Sequence, residues 1–270
     1  MSDLLAHVET VWQAVVPHLP GFTVEVLPSI DSTNTELMRR ARHGFMEPLL
    51  LAAEEQTAGR GRLGKGWHSR PGQSLTFSLA LPMAPADWSG LSLAVGVSLA
   101  ESLHPDVRLK WPNDLWLQQR KLGGILVETA STGSHPTERA SPQRLVVVGV
   151  GLNIARPPAA SVAALATPGT ALPAMAPAGL SELLVGATVG EVLERITAPL
   201  VRDLLAFEAQ GFAAFARRFE ARDALNGLDV QLSDGTQGTA CGVDDQGALR
   251  VRTAQGLQLV TSSEVSVRPC

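Results

Sequence analysis

Gly59-Arg60-Gly61-Arg62-Leu63-Gly64-Lys65-Gly66-Trp67 is the stretch whose reading decides the fold. Gly59, Gly61 and Gly64 spell the glycine fingerprint of dinucleotide-binding folds, and Gly59 through Gly64-Lys65 spells most of a phosphate-cradling P-loop. Both motifs need a helix directly after the loop, because the helix N-terminus helps to bind the phosphates. Here Gly66, Pro71 and Gly72 oppose such a helix, and Gly66 replaces the P-loop hydroxyl residue. Leu75, Phe77, Leu79 and Leu81 then follow with strand periodicity. The doubly wound nucleotide-binding folds are set aside, and a glycine loop running from strand to strand remains. Arg60, Arg62, Lys65 and Arg70 lie in and just after it without one acidic residue, in a chain of formal net charge −4. Glycine lets backbone amides approach a ligand closely, so the segment suits a mobile lid over a phosphate-bearing ligand. Its alternative is a solvated basic loop.

Outward from this loop, residues 4–19 carry helical amphipathicity, and Phe22 to Leu27 alternates like a strand. Thr33 and Glu36 have capping-box spacing ahead of Leu37, Met38 and Ala41, with Gly44 as a stop, which predicts a helix beginning at Ser32-Thr33-Asn34. Leu49 to Ala53 reads as a buried strand. After the loop, Leu91 to Leu103 predicts a helix packed on the sheet. Val107 to Trp111, Leu115 to Leu117, Leu122 to Thr129 and Leu145 to Ile154 predict strands, the second and third of these joined by the turn Gln118-Gln119-Arg120. From Ala155 to about Pro177, alanine and proline argue for a long irregular connection. Helical periodicity returns at Val189 to Leu205 and Phe212 to Ala221. Beyond Leu225, Asp234-Gly235 and Gln246-Gly247 punctuate short alternating runs, the pattern of a small antiparallel barrel. The expectation is an α+β fold: a mixed central sheet flanked by helices over residues 1–224 and a small β-barrel domain over 225–270.

Lysine and asparagine are scarce. Lys65, Lys110 and Lys121 stand against nineteen arginines, and the asparagines are Asn34, Asn113, Asn153 and Asn226. Arginine supplies most of the positive charge, so a retained lysine points to a site wanting a compact ammonium. Of these seven residues, only Asn226 lies outside the segments that look chemical. Leu109-Lys110-Trp111-Pro112-Asn113-Asp114 sets a lysine, an amide and a carboxylate beside a turn, and Lys121 follows ahead of Gly123-Gly124. In a hairpin Asp114 and Lys121 approach each other, either to share a ligand or as a surface ion pair. Gly149-Val150-Gly151-Leu152-Asn153 ends an apolar strand with two glycines, which marks either a bulge or a ligand lying against the backbone. Asn34 at a helix start is either a cap or a ligand contact.

Composition narrows the class. A pI near 5.9 argues against a general nucleic-acid coat or an anionic-membrane binder, so any anionic ligand is handled by a local patch. Cys241 and Cys270 make neither a disulfide framework nor a metal-ligand spacing. The first residues lack the basic start and apolar run of a signal peptide, and no apolar stretch reaches the roughly 18 residues of a membrane span. A cytoplasmic protein is expected.

Taken together, four segments resemble the biotin protein ligases in order and spacing. They are Ser32-Thr33-Asn34; Glu55-Gln56-Thr57-Ala58 running into the glycine loop; Lys110-Trp111-Pro112-Asn113-Asp114 with Lys121-Leu122-Gly123-Gly124; and Gly149-Val150-Gly151-Leu152-Asn153. The resemblance covers most of the chain. It implies a class II aminoacyl-tRNA synthetase-like catalytic domain and a C-terminal SH3-like β-barrel. It implies two steps: biotin and ATP, with magnesium on the phosphates, give biotinyl-5′-AMP and pyrophosphate, and a lysine of a biotin carboxyl carrier protein domain then takes the biotinyl group. By the same resemblance Ser32, Thr33, Asn34, Gln56 and Lys121 line the biotin and acyl-phosphate site. Gly59, Arg60, Gly61 and Arg62 belong to the loop over the adenylate, and Trp67 anchors it. Asn153 sits near the adenine end, and Gly124, Gly149 and Gly151 make room for ligand. Arg60 and Lys121 neutralise charge, while Asp114 either orients or deprotonates the incoming amine or acts only electrostatically. No residue is assigned to a metal. The chain departs from the family pattern at Leu63, where a basic residue often stands, and at Lys65, where arginine is common.

Family members that also repress transcription carry a winged helix-turn-helix before the catalytic domain. About thirty residues precede Ser32, so the short form is expected, with no specific DNA binding. A homodimer is compatible with the sequence but not marked by it. Two other readings stay open, a lipoate ligase of the same architecture and a catalytically silent biotin-binding module.

Overall fold

The computed structural model describes residues 2–131, 143–158, 176–261 and 267–269. Strands β1 (Thr23–Ile30) and β2 (Leu49–Gln56) precede a two-residue hairpin, β3 (Gly59–Arg60) with β4 (Gly66–Trp67). Then come β5 (Ser74–Met83), β6 (Arg108–Lys110), β7 (Asp114–Leu117), β8 (Arg120–Ser131) and β9 (Arg144–Asn153). Seven of them form one sheet in the order β1-β2-β5-β9-β8-β7-β6. The β1–β2 pair is parallel and the other pairs are antiparallel, so the sheet is mixed as expected.

Period-2 alternation gives this sheet two different faces. Leu75, Phe77, Leu79 and Leu81 of β5, with Val146, Val148, Val150 and Leu152 of β9, are buried in one large cluster. Helices α1 (Asp3–Val15), α3 (Leu91–Leu103) and α4 (Val189–Gln210) contribute to that cluster. Each fully buried Leu or Val side chain contributes roughly 1.5–3 kcal/mol. On the opposite face α2 (Thr33–Arg42) buries Leu37 and Ala41 against Leu49, Leu51, Ala80, Leu145 and Val147.

Several boundaries differ from the sequence expectation. Helix α1 stops at Val15, ahead of Pro17, and the amides of His18 and Leu19 close a turn on the Val15 carbonyl. Strand β1 runs on through Pro28 to Ile30, since β1 is an edge and its register with β2 passes over the proline. Helix α2 is capped by Ser32, not Thr33: the Thr35 amide donates to Ser32 Oγ, and Glu36 pairs instead with Arg39 and Arg40. The β7–β8 turn is Gln118-Gln119, both at positive φ. Helix α4 continues to Gln210, and the run expected to be helical after it splits into a 3-10 turn at Phe212–Ala214 and the short α5 (Ala216–Glu220). Most of the Ala155 to Pro177 connection lies outside the described residues.

The C-terminal unit comprises β10 (Asp229–Leu232), β11 (Gln237–Val243), β12 (Leu249–Thr253), β13 (Gly256–Val260) and β14 (Val267–Pro269). These form a five-stranded antiparallel sheet ordered β13-β12-β11-β10-β14. In place of a closed barrel, β13 and β14 are its two edges among the described residues. This sheet shares the large apolar cluster with the central sheet through Val230, Leu232, Leu249 and Val251. The Leu109 amide donates to the Arg222 carbonyl and the Ala224 amide to the Leu109 carbonyl, both at 2.8 Å. Buried Trp111 donates its Nε1 to the Gly247 carbonyl at 3.0 Å. Among the described residues no helix is long and apolar enough to cross a membrane.

Candidate active site

Cross-strand rows on the α2 face explain where a cleft forms. Two rows lie Pro82–Leu145–Ala130 and Ala80–Val147–Glu128, and α2 fills the space above their apolar members. The next rows, Ser78–Gly149–Leu126 and Thr76–Gly151–Gly124, carry little side-chain volume. Removing side chains from one end of a sheet face leaves a groove, and a cleft of about 920 Å³, its open mouth included, lies there.

The start of α2 closes one side of this cleft. Gln56 Oε1 accepts from the Thr33 amide at 2.8 Å and from Thr33 Oγ1 at 3.1 Å. Ser78 Oγ lies 2.7 Å from Thr33 Oγ1 and 2.5 Å from Asn34 Oδ1. Asn34 Nδ2 donates to the Leu126 carbonyl at 3.2 Å and to Glu128 Oε2 at 2.9 Å. Asn34 is therefore not a cap: its amide binds the start of α2 to β8, and Ser32 supplies the cap. A Cβ on Gly149 would sit 2.1 Å from Asn34 Oδ1, so this glycine makes room for Asn34 rather than forming a bulge.

Across the cleft, Lys121 Nζ donates to Asp114 Oδ1 at 2.7 Å. The two residues are not direct strand partners. Asp114 pairs with Gly124 and Trp116 with Lys121, and the register shifts between them. The ammonium reaches the carboxylate over Gly124, where a Cβ would meet Nζ at 3.3 Å and Asp114 Oδ1 at 3.7 Å. Burial lowers the Arg62 guanidinium from its ordinary value, and attraction to Asp114 opposes that shift. Arg62 thus lies within electrostatic reach of the carboxylate that holds Lys121. Lys110, given no role by the sequence, lines the cleft with its ammonium 5.0 Å from the Trp116 ring centre.

The loop is a small hairpin, Gly59 opposite Trp67 and Arg60 opposite Gly66. At its tip Leu63 takes φ 55° and Gly64 φ 70°, left-handed conformations that cost a leucine and suit a glycine. A Cβ on Gly59 would lie 2.5 Å from the Trp67 carbonyl, so close approach of the two strands requires glycine there. Trp67 packs onto the sheet at Gly151, where a Cβ would come within 2.4 Å of its ring. Its Nε1 is buried and has no partner among the described residues. Trp67 thus fastens the hairpin to strand β9. Arg60 is drawn elsewhere: its Nη2 donates to both oxygens of Glu128 at 3.2 Å.

Of the residues expected at the site, Ser32, Thr33, Asn34, Gln56, Arg60, Gly61, Arg62, Trp67, Asp114, Lys121, Gly124, Gly149 and Gly151 line the one cleft. Gly59, paired with Trp67, does not line it. Asn153 does not line it either: this buried side chain donates to the Ala178 carbonyl at 3.2 Å. Gly124, Gly149 and Gly151, expected to make room for ligand, make room first for Lys121, Asn34 and Trp67. Sequence reasoning missed Glu128 and Val267. An acidic residue within the otherwise apolar run from Leu122 was the signal for Glu128, whereas Val267 reaches the cleft from the C-terminal sheet, which no local pattern encodes.

Residues 26–153 match the biotin/lipoate A/B protein ligase family and residues 230–268 the biotin protein ligase C-terminal domain. The bifunctional ligase/repressor BirA of Escherichia coli is 36% identical over 94% of this chain and 77% of its own length. The chain belongs to the biotin protein ligase family. A biotin–[acetyl-CoA-carboxylase] ligase of Paracoccus denitrificans is 33% identical over 89% of this chain and 98% of its own length. Among solved structures, the biotin protein ligase from Aquifex aeolicus in complex with biotin and ATP superposes with a TM-score of 0.71 at 26% identity. It covers 92% of this chain and 99% of that one. The two family matches together take in the cleft, the loop and Val267.

Proposed function

We propose that this ligase condenses biotin with ATP to biotinyl-5′-AMP and transfers the biotinyl group to a lysine of a biotin carboxyl carrier protein domain, both steps occurring under the Gly59–Trp67 hairpin. In the first step a biotin carboxylate oxygen bonds to the α-phosphorus and the bond to pyrophosphate breaks. In the second the lysine amine bonds to the acyl carbon and AMP leaves. The observation that carries this reading is the Lys121–Asp114 pair over Gly124, in the same cleft as the start of α2 and the basic hairpin.

Attack of a carboxylate on a phosphate brings anions together, so positioned cations lower the barrier. Lys121, set by Asp114, is the first of these, and Arg62 near Asp114 is better placed than Arg60 to be the second. Arg60 is tied to Glu128 and belongs to the loop's support. Because Asp114 already accepts from Lys121, the arrangement favours an electrostatic role for it over that of a general base. Magnesium would enter with the triphosphate. Asp114 is the one carboxylate lining the cleft among the described residues, and magnesium needs only one or two besides phosphate oxygens. The hairpin keeps water from the mixed anhydride. We assign the chemistry to residues 1–224 and to 225–270 a cleft wall carrying Val267.

Biotin-dependent exchange of labelled pyrophosphate into ATP tests this reading, with lipoate in parallel and magnesium omitted as a control. Exchange with biotin, lost without magnesium, is expected. Exchange with lipoate alone would make the chain a lipoate ligase. No exchange in folded protein that binds biotin would make it a silent binding module.

A further inference from the structure

Glu128 lies on the same side of β8 as Gly124 and Leu126, two residues past the last cleft-lining position on that side. Strand β7 accompanies β8 only as far as Gly124. Beyond that point two asparagine side chains reach its carbonyls. Asn113 Nδ2 donates to Ile125 O at 2.8 Å and Asn34 Nδ2 to Leu126 O at 3.2 Å. Glu128 stands next in line, and its carboxylate accepts from two parts of the site at once. Asn34 Nδ2 is 2.9 Å from Oε2, and Arg60 Nη2 is 3.2 Å from each oxygen.

These contacts close a circuit around the root of the hairpin. Gln56 ends β2 and is bound to Thr33; Thr33 and Asn34 share Ser78; Asn34 is bound to Glu128; and Glu128 to Arg60, four residues after Gln56. The Gln56 amide donates to Ser69 Oγ at 2.6 Å, which ties the segment after the hairpin to the same root. The hairpin itself holds only two residue pairs, so its position depends on such anchors. Trp67 on Gly151 is one such anchor and Glu128 on Arg60 another.

We propose that Glu128 is a positioning residue for the ligase reaction. By binding Arg60 and Asn34 together, it holds the root of the hairpin against the cleft floor and so retains the adenylate. The proposal rests on the ligase reading for the adenylate, but its mechanical half does not. The pair is partly exposed, so an effect of about three- to fivefold is the scale to look for.

The test uses Glu128→Gln, which keeps an acceptor for Asn34 but removes the charge, and Glu128→Asp, which keeps the charge on a shorter arm. In the ligand-free protein, a lysine-specific protease has one lysine in the hairpin, Lys65, and two in sheet strands, Lys110 and Lys121. Cleavage after Lys65 is expected to speed up about three- to fivefold in Glu128→Gln and less in Glu128→Asp. The melting temperature should move little. In the working enzyme, Glu128→Gln and Arg60→Gln should each speed adenylate dissociation by a similar factor, and the double variant no further than the faster single. Cleavage and dissociation unchanged in Glu128→Gln, or single effects that multiply, would overturn the proposal. If the wild-type chain makes no adenylate, the ligase reading fails, while the cleavage rates still decide the latch.

Discussion

Strand β9 and the Gly59–Trp67 hairpin form the floor and the lid of one cleft and are held by very different means. Strand β9 pairs along ten positions with β5 and along nine with β8, and most of its residues are buried. The hairpin pairs at two positions and exposes Leu63 at its tip. Local stability follows paired backbone and buried apolar contact, so the floor is expected to open only when the whole domain unfolds and the hairpin far sooner. A ligase that must admit two substrates and then shield a reactive anhydride needs both behaviours. A rigid floor fixes the reacting atoms, and a weakly held lid lets them in.

The difference can be attacked from the floor first. Lys121→Ala removes the ammonium over Gly124, and pyrophosphate exchange should fall about 100-fold or more while the thermal midpoint stays near that of the wild type. Near-normal turnover in the folded variant would remove Lys121 from the mechanism.

Two glycines on one face of β9 then separate floor from lid. In Gly149→Ala the new methyl displaces Asn34 and breaks its bonds to Ser78, Leu126 and Glu128. A loss of about 2–3 kcal/mol is expected in urea denaturation. In Gly151→Ala the methyl displaces Trp67. Unfolding should change by less than about 1 kcal/mol, while adenylate escapes about tenfold faster, read by chasing labelled adenylate with unlabelled substrates. Equal stability losses at the two sites would abolish the distinction drawn between floor and hairpin.

The smallest effect concerns Asp223, between α5 and β10. Burial is the main force raising its carboxyl from 3.8 to about 6, repulsion from Glu220 adds to it, and the amides of Leu225 and Asn226 work the other way. Its Oδ2 is buried with no partner among the described residues. A raised carboxyl binds its proton more tightly in the folded state, so folding gains stability as pH falls from about 6 towards 4 and lacks that gain above 6. Asp223→Asn should therefore stabilise the protein by about 1–3 kcal/mol at pH 8, and the advantage should vanish near pH 4. Denaturation at the two pH values checks it, and an equal effect at both would contradict the burial argument.

Much of the fold was legible because its signals are local. Alternation at Leu75–Leu81 and the apolar run from Leu145 report strands that stand where expected. The exclusion of a P-loop from Gly66 and Pro71 agrees with the short hairpin that follows β2. What escaped depended on neighbours distant in sequence. Thr33 has the right spacing for a cap, yet its hydroxyl is drawn to Gln56 and Ser78, which leaves Ser32 to do the capping. The empty rows at Gly149 and Gly151 become a cleft only once Ser78, Thr76 and Gly124 are aligned beside them. Arg60 and Arg62 look equivalent in sequence, and only the fold sends one to Glu128 and the other towards Asp114. The resemblance set Asn153 near the adenine end, whereas its side chain donates to the Ala178 carbonyl, beyond the irregular connection, a contact that no local pattern encodes.

Hydrogen exchange followed by mass spectrometry, with and without biotin plus magnesium-ATP, tests the contrast most directly. Amides of residues 144–153 should be strongly protected in both states, and those of residues 59–67 should exchange rapidly alone and slow by about tenfold or more when the adenylate forms. A hairpin already as protected as the floor without ligand, or one that gains no protection with it, would contradict the account.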